Sequence, residues 1–197
     1  MNINLNTREV NEHLKSLSFI RIGTSGTVQA DIPVDSLLVS EAAFGLDALM
    51  HYYKYNLEAG QQELLKAFTQ TLPDHLNLRP YIAVADDSLL TTIAKGIPRG
   101  ITITTPGFYA PQGRQVRAQS TVPILMELIQ NFSYDGKKIT NLEMETAGIY
   151  GMAAALGHKA ISFNVLLANR ITHTFSKLPA QIMDNFIGEV LERVIGA

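Results

Sequence analysis

Four short segments of the chain hold polar residues at spacings that suit the binding of an anion, a flat ring or a sugar. In residues 21–26 (RIGTSG), an arginine inside an apolar stretch is followed by glycines that bracket two hydroxyls. Glycines let the backbone turn and expose N–H groups, while Arg21 supplies a charged fork and Thr24 a hydroxyl for phosphate. An ordinary strand-to-loop turn with an arginine at its edge explains this segment equally well.

Residues 106–114 (PGFYAPQGR) combine an aromatic ring, an amide and a guanidinium in a loop rich in proline and glycine. Gln112 can both donate and accept hydrogen bonds, as the edge of a heterocyclic base requires, and Arg114 can neutralise charge on a carbonyl oxygen. Phe108 can stack on a flat ring. Taken alone, the segment fits a surface loop with a buried phenylalanine slightly better than a base-binding loop.

Two carboxylates straddle an apolar residue in residues 141–146 (NLEMET), where a predicted strand passes into a helix. In a strand, Glu143 and Glu145 share a face, and a carboxylate can accept hydrogen bonds from both hydroxyls of a ribose. Acidity at a helix N-terminus explains Glu145 but not Glu143, which falls inside the apolar strand. The last segment, residues 166–170 (LLANR), ends an apolar strand in Asn-Arg. The polar stretch 171–176 that follows predicts a lid over a pocket or, equally well, a plain surface loop.

The rest of the chain alternates between strand-like and helix-like stretches. Strands are predicted at residues 18–23, 36–44, 81–85, 100–105, 138–144 and 160–168. Helices are predicted at residues 58–72, 88–95, 122–132, 146–156 and 180–195, the last with a buried stripe of Ile182, Phe186, Ile187, Val190, Leu191 and Val194. The alternation predicts a single α/β domain over residues 1–197, with helices on both faces of a largely parallel sheet and ligands beyond the carboxyl ends of its strands.

The composition argues against several classes of protein. Sixteen Lys and Arg nearly balance 18 Asp and Glu, so there is no basic footprint for nucleic acid. The chain has no cysteine, which excludes disulfides and thiolate metal sites and fits a reducing cytoplasm, and its five histidines lack the spacing of metal ligands. No apolar run approaches the roughly 18 residues of a membrane helix, and the N-terminus lacks the apolar core of a signal peptide. We therefore expect a cytoplasmic protein with no metal, membrane or nucleic-acid partner.

Taken together, the motifs FIRIGTSG, FYAPQGR, NLEMETAGIYGMAAALG and LLANR resemble those of the nucleoside phosphorylase superfamily, in the same order, from about Ser18 to the C-terminus. Within that superfamily the chain is most similar to uridine phosphorylases. The Gln-x-Arg element of Gln112 and Arg114 separates these enzymes from their purine relatives, which usually carry an aspartate where this chain has Asn169-Arg170.

The resemblance implies a three-layer α/β/α fold with a mixed, largely parallel central sheet. It implies phosphorolysis of a pyrimidine nucleoside to free base and ribose 1-phosphate, as in pyrimidine salvage, with inorganic phosphate as co-substrate and no cofactor. By residue, it implies phosphate binding by Arg21 and Thr24, ribose binding by Glu143, Met144 and Glu145, and base binding by Phe108, Gln112, Arg114, Leu167, Ala168 and Arg170. Arg21, Arg114 and Glu145 are the implied catalytic residues, because they face the charges that develop on phosphate, base and sugar.

The chain also departs from this pattern. Family members begin with a further strand, a glycine-rich loop with another phosphate-binding arginine and a helix, and a neighbouring subunit donates a histidine and an arginine. The first residues here resemble the stretch just before the Arg-x-Gly-Thr strand, so we expect the first strand or strands and about half of the phosphate site to be missing, in a homo-oligomer (a dimer or a hexamer of dimers) that is weakly active or inactive. Two alternatives stay open: a nucleosidase that uses water instead of phosphate, and a non-catalytic fragment or subunit of the same fold.

Overall fold

The computed structural model describes residues 2–196 and contains an eight-stranded sheet with five α-helices around it. The strands are β1 (Ser18–Thr27), β2 (Leu37–Gly45), β3 (Tyr81–Val84), β4 (Arg99–Thr104), β5 (Ser133–Tyr134), β6 (Lys137–Glu143), β7 (Lys159–Asn169) and β8 (Thr174–Phe175). The helices are α1 (Ala59–Thr71), α2 (Asp87–Thr91), α3 (Leu125–Asn131), α4 (Thr146–Ala155) and α5 (Pro179–Ile195). Each predicted strand and helix is present with shifted ends, and the two-residue strands β5 and β8 are additional.

The sheet is mixed, and five of its strands close on themselves. β2, β4 and β6 are neighbours in parallel, and β1 runs parallel to β7. Antiparallel pairs between β1 and β6 and between β2 and β7 then complete the ring β2–β4–β6–β1–β7. The predicted α/β class with a mixed sheet is confirmed. The closure was not predicted, because alternation along the chain indicates which elements exist but not which strands pair last.

Alternation along the ring strands separates apolar from polar side chains. In β7, Ile161, Phe163 and Val165 join an apolar cluster with α2, α4 and α5, while Ser162 and Asn164 point to the opposite face. In β4, Ile101 and Ile103 join a second cluster with α1 and α3, again with threonines between them. The helices thus cover two apolar surfaces, and the remaining polar face of the strands is available to build a site.

The terminal helix α5 is less deeply packed than its pattern predicts. Val190 alone is buried among the described residues of this helix, and Ile182, Phe186 and Val194 pack partly against the first cluster. Leu191 is exposed, so the prediction that it belongs to the buried stripe is wrong. Its Cα lies about 100° around the helix from that of Val190, away from the side that faces the first apolar cluster. Met183, which was not predicted, packs against that cluster. Across residues 2–196, no helix combines the length and apolarity needed to cross a membrane.

Candidate active site

Residues 21–26 lie inside strand β1 rather than in a turn. β1 pairs with β7 in continuous parallel register from Ser18, with one irregularity between Ser25 and Gly26. The predicted glycine turn at this segment is therefore wrong, because the ladder with β7 keeps residues 18–27 in a strand despite that irregularity. Gly23 has another use: a Cβ there would lie 2.5 Å from the guanidinium carbon of Arg21. The absence of a side chain at Gly23 lets the Arg21 side chain fold back along its own strand.

Arg21 is held by acceptors on three elements. Its Nη2 lies 2.7 Å from Glu145 Oε2 and 3.3 Å from Glu143 Oε2. Its Nη1 donates to Ser162 Oγ at 3.3 Å and to Asn164 Oδ1 at 3.2 Å, both on β7. The side chain is only 13% exposed. Arg21 is thus a largely buried cation with a fixed direction, paired with the two carboxylates of the NLEMET segment.

The two carboxylates of that segment have different surroundings. Glu143 is 2% exposed, and its Oε2 accepts hydrogen bonds from the backbone N–H groups of Glu145 (2.9 Å) and Thr146 (2.8 Å). Thr146 Oγ1 also donates to Oε2, and Thr104 Oγ1 donates to Oε1 at 2.6 Å. Glu143 therefore binds the positive N-terminus of α4, because the chain turns directly after β6 and brings its carboxylate over the first N–H groups of the helix. The interpretation that helix acidity explains Glu145 but not Glu143 is wrong.

Glu145 and Met144 face a cleft. The Glu145 side chain is 55% exposed, and its only described ion-pair partner is Arg21. Both residues line an open cavity of about 450 Å³, together with Asp47, Leu49, Thr104, Thr105, Pro106, Gly148, Ile149 and Met152. An accessible carboxylate beside a partly apolar wall can accept hydrogen bonds from neighbouring hydroxyls of a sugar. The cleft joins the end of β4 to the start of α4.

Three of the predicted base-binding residues, Phe108, Gln112 and Arg114, form one cluster in the loop after β4. Arg114 Nη1 donates to Gln112 Oε1 and to the Phe108 carbonyl oxygen, and its guanidinium carbon lies 3.8 Å from the centre of the Phe108 ring. Gln112 is buried, at 4% exposure, and its Nε2 donates to Thr105 Oγ1 at 3.1 Å. Arg114 therefore covers one face of the Phe108 ring, and a base that stacks on that face must displace the guanidinium.

Arg170 brings a second guanidinium to the same loop. The Arg170 Nη2 donates to the backbone carbonyl of Gln112 at 2.8 Å. The backbone N–H of Arg170 donates to the carbonyl of Thr27, which fixes the Arg170 backbone at the end of β1. Its Nη1 is buried and has no hydrogen-bond partner among residues 2–196. Burial lowers the pKa of Arg114, and burial together with the charge of Arg114 lowers the pKa of Arg170. Two partly desolvated cations with an unused donor suit a ligand rich in carbonyl oxygen.

Three predicted site residues lie outside this contact network. Thr24 is exposed on β1, on the opposite face from Arg21 by strand alternation, and its hydroxyl makes no hydrogen bond within the part of the chain described. Leu167 packs partly against the first apolar cluster, and Ala168 pairs with Gly26 and Phe175. Direct contacts, or contacts through the intervening residue Thr105, therefore connect seven predicted site residues: Arg21, Glu143, Glu145, Phe108, Gln112, Arg114 and Arg170. Thr24, Leu167 and Ala168 lie outside this network.

The segment after β7 is anchored rather than free. Asn169 Nδ2 donates to the carbonyls of Gln29 and Ile32, and its Oδ1 accepts from the N–H groups of Ile171 and Thr172. β8 then pairs with the end of β7. Of the two interpretations of this stretch, a lid and a surface loop, the hydrogen bonds favour a surface loop, which is anchored as a hairpin.

The sequence reasoning missed the polar residues that support the site. Thr104, Thr105, Ser162 and Asn164 are all buried, and each bonds to a predicted site residue. A signal was present, since these residues interrupt apolar strands in the runs ITITT and ISFNV. Buried polar side chains are costly unless they are paired, so their presence in a strand indicates a polar partner nearby.

The predicted site residues do not line every cavity of the described chain. A larger cavity, of about 630 Å³, contains none of the predicted site residues. We place the site at the 450 Å³ cleft instead, because Glu145 and Thr105 line it. Glu145 pairs with Arg21, and Thr105 is bonded to Gln112 of the amide–guanidinium loop. Within residues 2–196, no group of three or more His, Asp or Glu side chains is arranged to hold a metal ion.

Comparison with known proteins supplies independent findings. A family model described as the phosphorylase superfamily matches residues 1–195. A uridine phosphorylase of Thermococcus kodakarensis is 27% identical over 163 residues, covering 81% of this chain and 51% of that protein. A uridine phosphorylase of Haemophilus influenzae is 27% identical over 165 residues, covering 78% of this chain and 54% of that protein. The chain thus spans about half the length of these curated relatives.

A solved structure of a nucleoside phosphorylase has a similar fold. The crystal structure of a Trypanosoma brucei nucleoside phosphorylase, described as showing uridine phosphorylase activity, matches with a TM-score of 0.80 at 25% identity. The match covers 91% of this chain and 64% of that one.

Proposed function

The chain belongs to the phosphorylase superfamily, and on that premise we propose that it catalyses phosphorolysis of a uridine-like pyrimidine nucleoside to the free base and ribose 1-phosphate. The observation that carries the proposal is a series of contacts. Arg21 pairs with Glu145 and with Glu143. The Thr105 N–H donates to the Glu143 carbonyl, and the Thr105 hydroxyl accepts from Gln112, whose amide oxygen accepts from Arg114. The series connects a cation, a carboxylate exposed to the cleft and an amide–guanidinium pair. These are the groups that phosphate, ribose and an oxo-pyrimidine respectively require.

The proposed reaction assigns a charge to each part of the cleft. A phosphate oxygen attacks the anomeric carbon, the C–N bond breaks, and its electron pair leaves with the base. Positive charge develops on the sugar, where Glu145 accepts from the hydroxyls and supplies a nearby negative charge. Negative charge develops on the base, where Arg114 and Arg170 can meet it. The reaction needs phosphate as co-substrate and no metal or organic cofactor.

Phosphate must share Arg21 with the carboxylates already paired to it. Glu145 is half exposed, so its contact with Arg21 is weakened by solvent, and exchanging it for phosphate costs little. Glu143 keeps its position whether or not Arg21 moves, because four donors other than Arg21 hold it. We therefore assign Arg21 to phosphate, without Thr24, whose side chain lies on the opposite face of β1, and we assign Glu143 to holding Arg21 and α4.

We further propose that the protein works as a homo-oligomer in cytoplasmic pyrimidine salvage. The support is exposed apolar surface beside the cleft: Leu49 and Met144 line it, and Tyr52 and Tyr109 are exposed on neighbouring segments. Exposed apolar patches of this kind commonly mark protein contacts. The oligomeric state is tested by light scattering at micromolar concentration, where a monomer would contradict this part of the proposal.

A nucleosidase is the second candidate, and one observation favours it. In the structure Arg21 is fully engaged by Glu143, Glu145, Ser162 and Asn164, and Thr24 does not contact it. The deciding experiment identifies the sugar product from uridine in phosphate buffer by ³¹P NMR. Ribose 1-phosphate in amounts equal to the uracil released supports phosphorolysis, and uracil release without ribose 1-phosphate supports hydrolysis. Release of neither product would favour a non-catalytic subunit.

A further inference from the structure

We propose that Asn164 is a positioning residue, which holds the Arg21 guanidinium in the orientation that phosphate binding requires. The inference rests on the proposed function, because it deepens the assignment of Arg21 to phosphate. Asn164 lies on β7 and is 0% exposed, so it cannot contact a substrate in the cleft and acts through Arg21.

The hydrogen bonds of Arg21 divide between its two terminal nitrogens. Nη2 donates to Glu145 Oε2 at 2.7 Å, whereas Nη1 donates to Ser162 Oγ and to Asn164 Oδ1. Glu143 adds an ion pair, with its Oε2 at 3.3 Å from Nη2. When phosphate takes the place of Glu145, the bonds at Nη1 are the ones that keep the plane of the guanidinium fixed. A guanidinium held at one nitrogen alone can pivot, and it then loses its directed hydrogen bonds to phosphate.

Asn164 is the more firmly placed of the two acceptors at Nη1. A guanidinium has only donors, so the atom of the Asn164 amide that faces Arg21 must be the oxygen. The amide nitrogen then faces acceptors, since Nδ2 donates to Ser40 Oγ at 2.8 Å and to the Ser162 carbonyl at 3.4 Å. The Ser162 hydroxyl, by contrast, is shared between Arg21 and Thr146 Oγ1.

Hydrogen bonds between side chains continue from Asn164 around the interior of the five-stranded ring. They form a polar belt, which consists of Asn164 on β7, Ser40 on β2, Thr102 on β4, Asn141 on β6 and Ser25 on β1. The successive bonds measure 2.5–3.0 Å. Because Arg21 also lies on β1, the polar belt touches every strand of the ring and returns to the strand that carries the arginine. Buried polar groups are costly to leave unpaired, so the belt resists any movement of Asn164 away from Arg21.

The test measures phosphate binding and turnover separately. Binding of inorganic phosphate is measured by isothermal titration calorimetry in a phosphate-free buffer, and the KM values for phosphate and for uridine come from uracil release. We expect Asn164→Ala to weaken phosphate binding about tenfold, as loss of one hydrogen bond to a charged group allows, and to raise the phosphate KM by a similar factor. The KM for uridine should stay near the wild-type value.

Two further variants make the result specific. Thr140→Val is the matched control, because Thr140 is also buried on a ring strand and bonds to the Ile101 carbonyl and to Asn141 Oδ1, but not to Asn164 or Arg21. It should leave phosphate binding unchanged. Should the alanine protein fail to fold, Asn164→Thr decides the question. Threonine has about the volume of asparagine and favours a strand, but its hydroxyl lies one bond closer to the backbone than Oδ1.

Each outcome has a defined meaning. Wild-type phosphate affinity in a folded Asn164 variant would overturn the inference and leave the proposed function intact. Equal losses in the Asn164 variant and in Thr140→Val, or equal rises in the KM values for phosphate and uridine, would also overturn it, because they would indicate a general loosening of the ring. A wild-type protein that does not bind phosphate contradicts phosphorolysis itself, and the inference fails with it.

Discussion

Arg21 and Glu145 form an ion pair of 2.7 Å that joins the middle of β1 to the residue just before α4. The arginine end is largely buried, whereas the carboxylate end is open to the cleft. The pair therefore links the proposed phosphate cation directly to the proposed ribose acceptor. Either substrate can take over one partner, because a half-exposed ion pair contributes little to stability.

Glu145→Gln should lower uridine turnover about a hundredfold, since the amide keeps the size of the side chain but loses the charge that faces a cationic sugar. Steady-state uracil release measures the effect. Glu189→Gln is the control, because the ion-pair partner of Glu189 among residues 2–196 is Arg193 on the surface of α5. Equal turnover in the Glu145 and Glu189 variants would remove Glu145 from the site.

Arg114→Ala should lower uridine turnover by about a hundredfold, or roughly 3 kcal/mol of transition-state stabilisation, while the protein stays folded. The loop position of Arg114 and its partners within the same loop make a folding defect small. Arg117→Ala is the matched control, as Arg117 is exposed three residues further along. Turnover by Arg114→Ala at the level of Arg117→Ala would make residues 106–114 an ordinary surface loop.

Gly23→Ala should raise the KM for phosphate, because its Cβ would lie 2.5 Å from the Arg21 guanidinium and force that side chain out of its place. The effect on phosphate should exceed the effect on uridine. Gly188→Ala in α5 has open space around its Cβ and should leave both KM values unchanged, with stability raised by about 0.5–1 kcal/mol. A Gly23→Ala protein with wild-type phosphate kinetics would show that Arg21 does not meet phosphate.

Tyr150→Phe should destabilise the fold by about 1–3 kcal/mol in urea denaturation. The buried hydroxyl donates to Ser40 O and accepts from Ser162 N, both at 2.7 Å, so its loss leaves two buried backbone groups without this partner. Burial raises the pKa of Tyr150 far above its ordinary value, so the hydroxyl stays neutral at all physiological pH. Tyr52→Phe, at an exposed ring, should cost nothing measurable. Equal stability of the two variants would contradict this account of the interior.

The parts of the fold that follow from local pattern were predictable. Alternation located every long element, although Glu58, predicted as the first residue of a helix, instead precedes α1 as its N-cap residue and forms a capping box with Gln61. The segments rich in glycine and polar residues located the loops and strand ends that converge. Ring closure was not predictable, because the pairing of β2 with β7 joins residues far apart in the chain and has no local signature.

The roles of particular site residues were harder to predict for a related reason. Gly23 resembles a turn glycine in the sequence, but its lack of a side chain serves the Arg21 guanidinium. Glu143 resembles a ligand-binding carboxylate, but the fold turns it toward the start of α4. Both roles depend on where a side chain points after the chain has folded. Residue type and spacing alone do not determine that direction.

Uracil release from uridine across a phosphate titration tests the central claim most directly. We predict that the rate is negligible without phosphate and rises to saturation as phosphate is added, and that Arg21→Met raises the phosphate concentration needed by about a hundredfold, the cost of one lost charged contact. A rate that is the same with and without phosphate, and unaffected by Arg21→Met, would contradict the account.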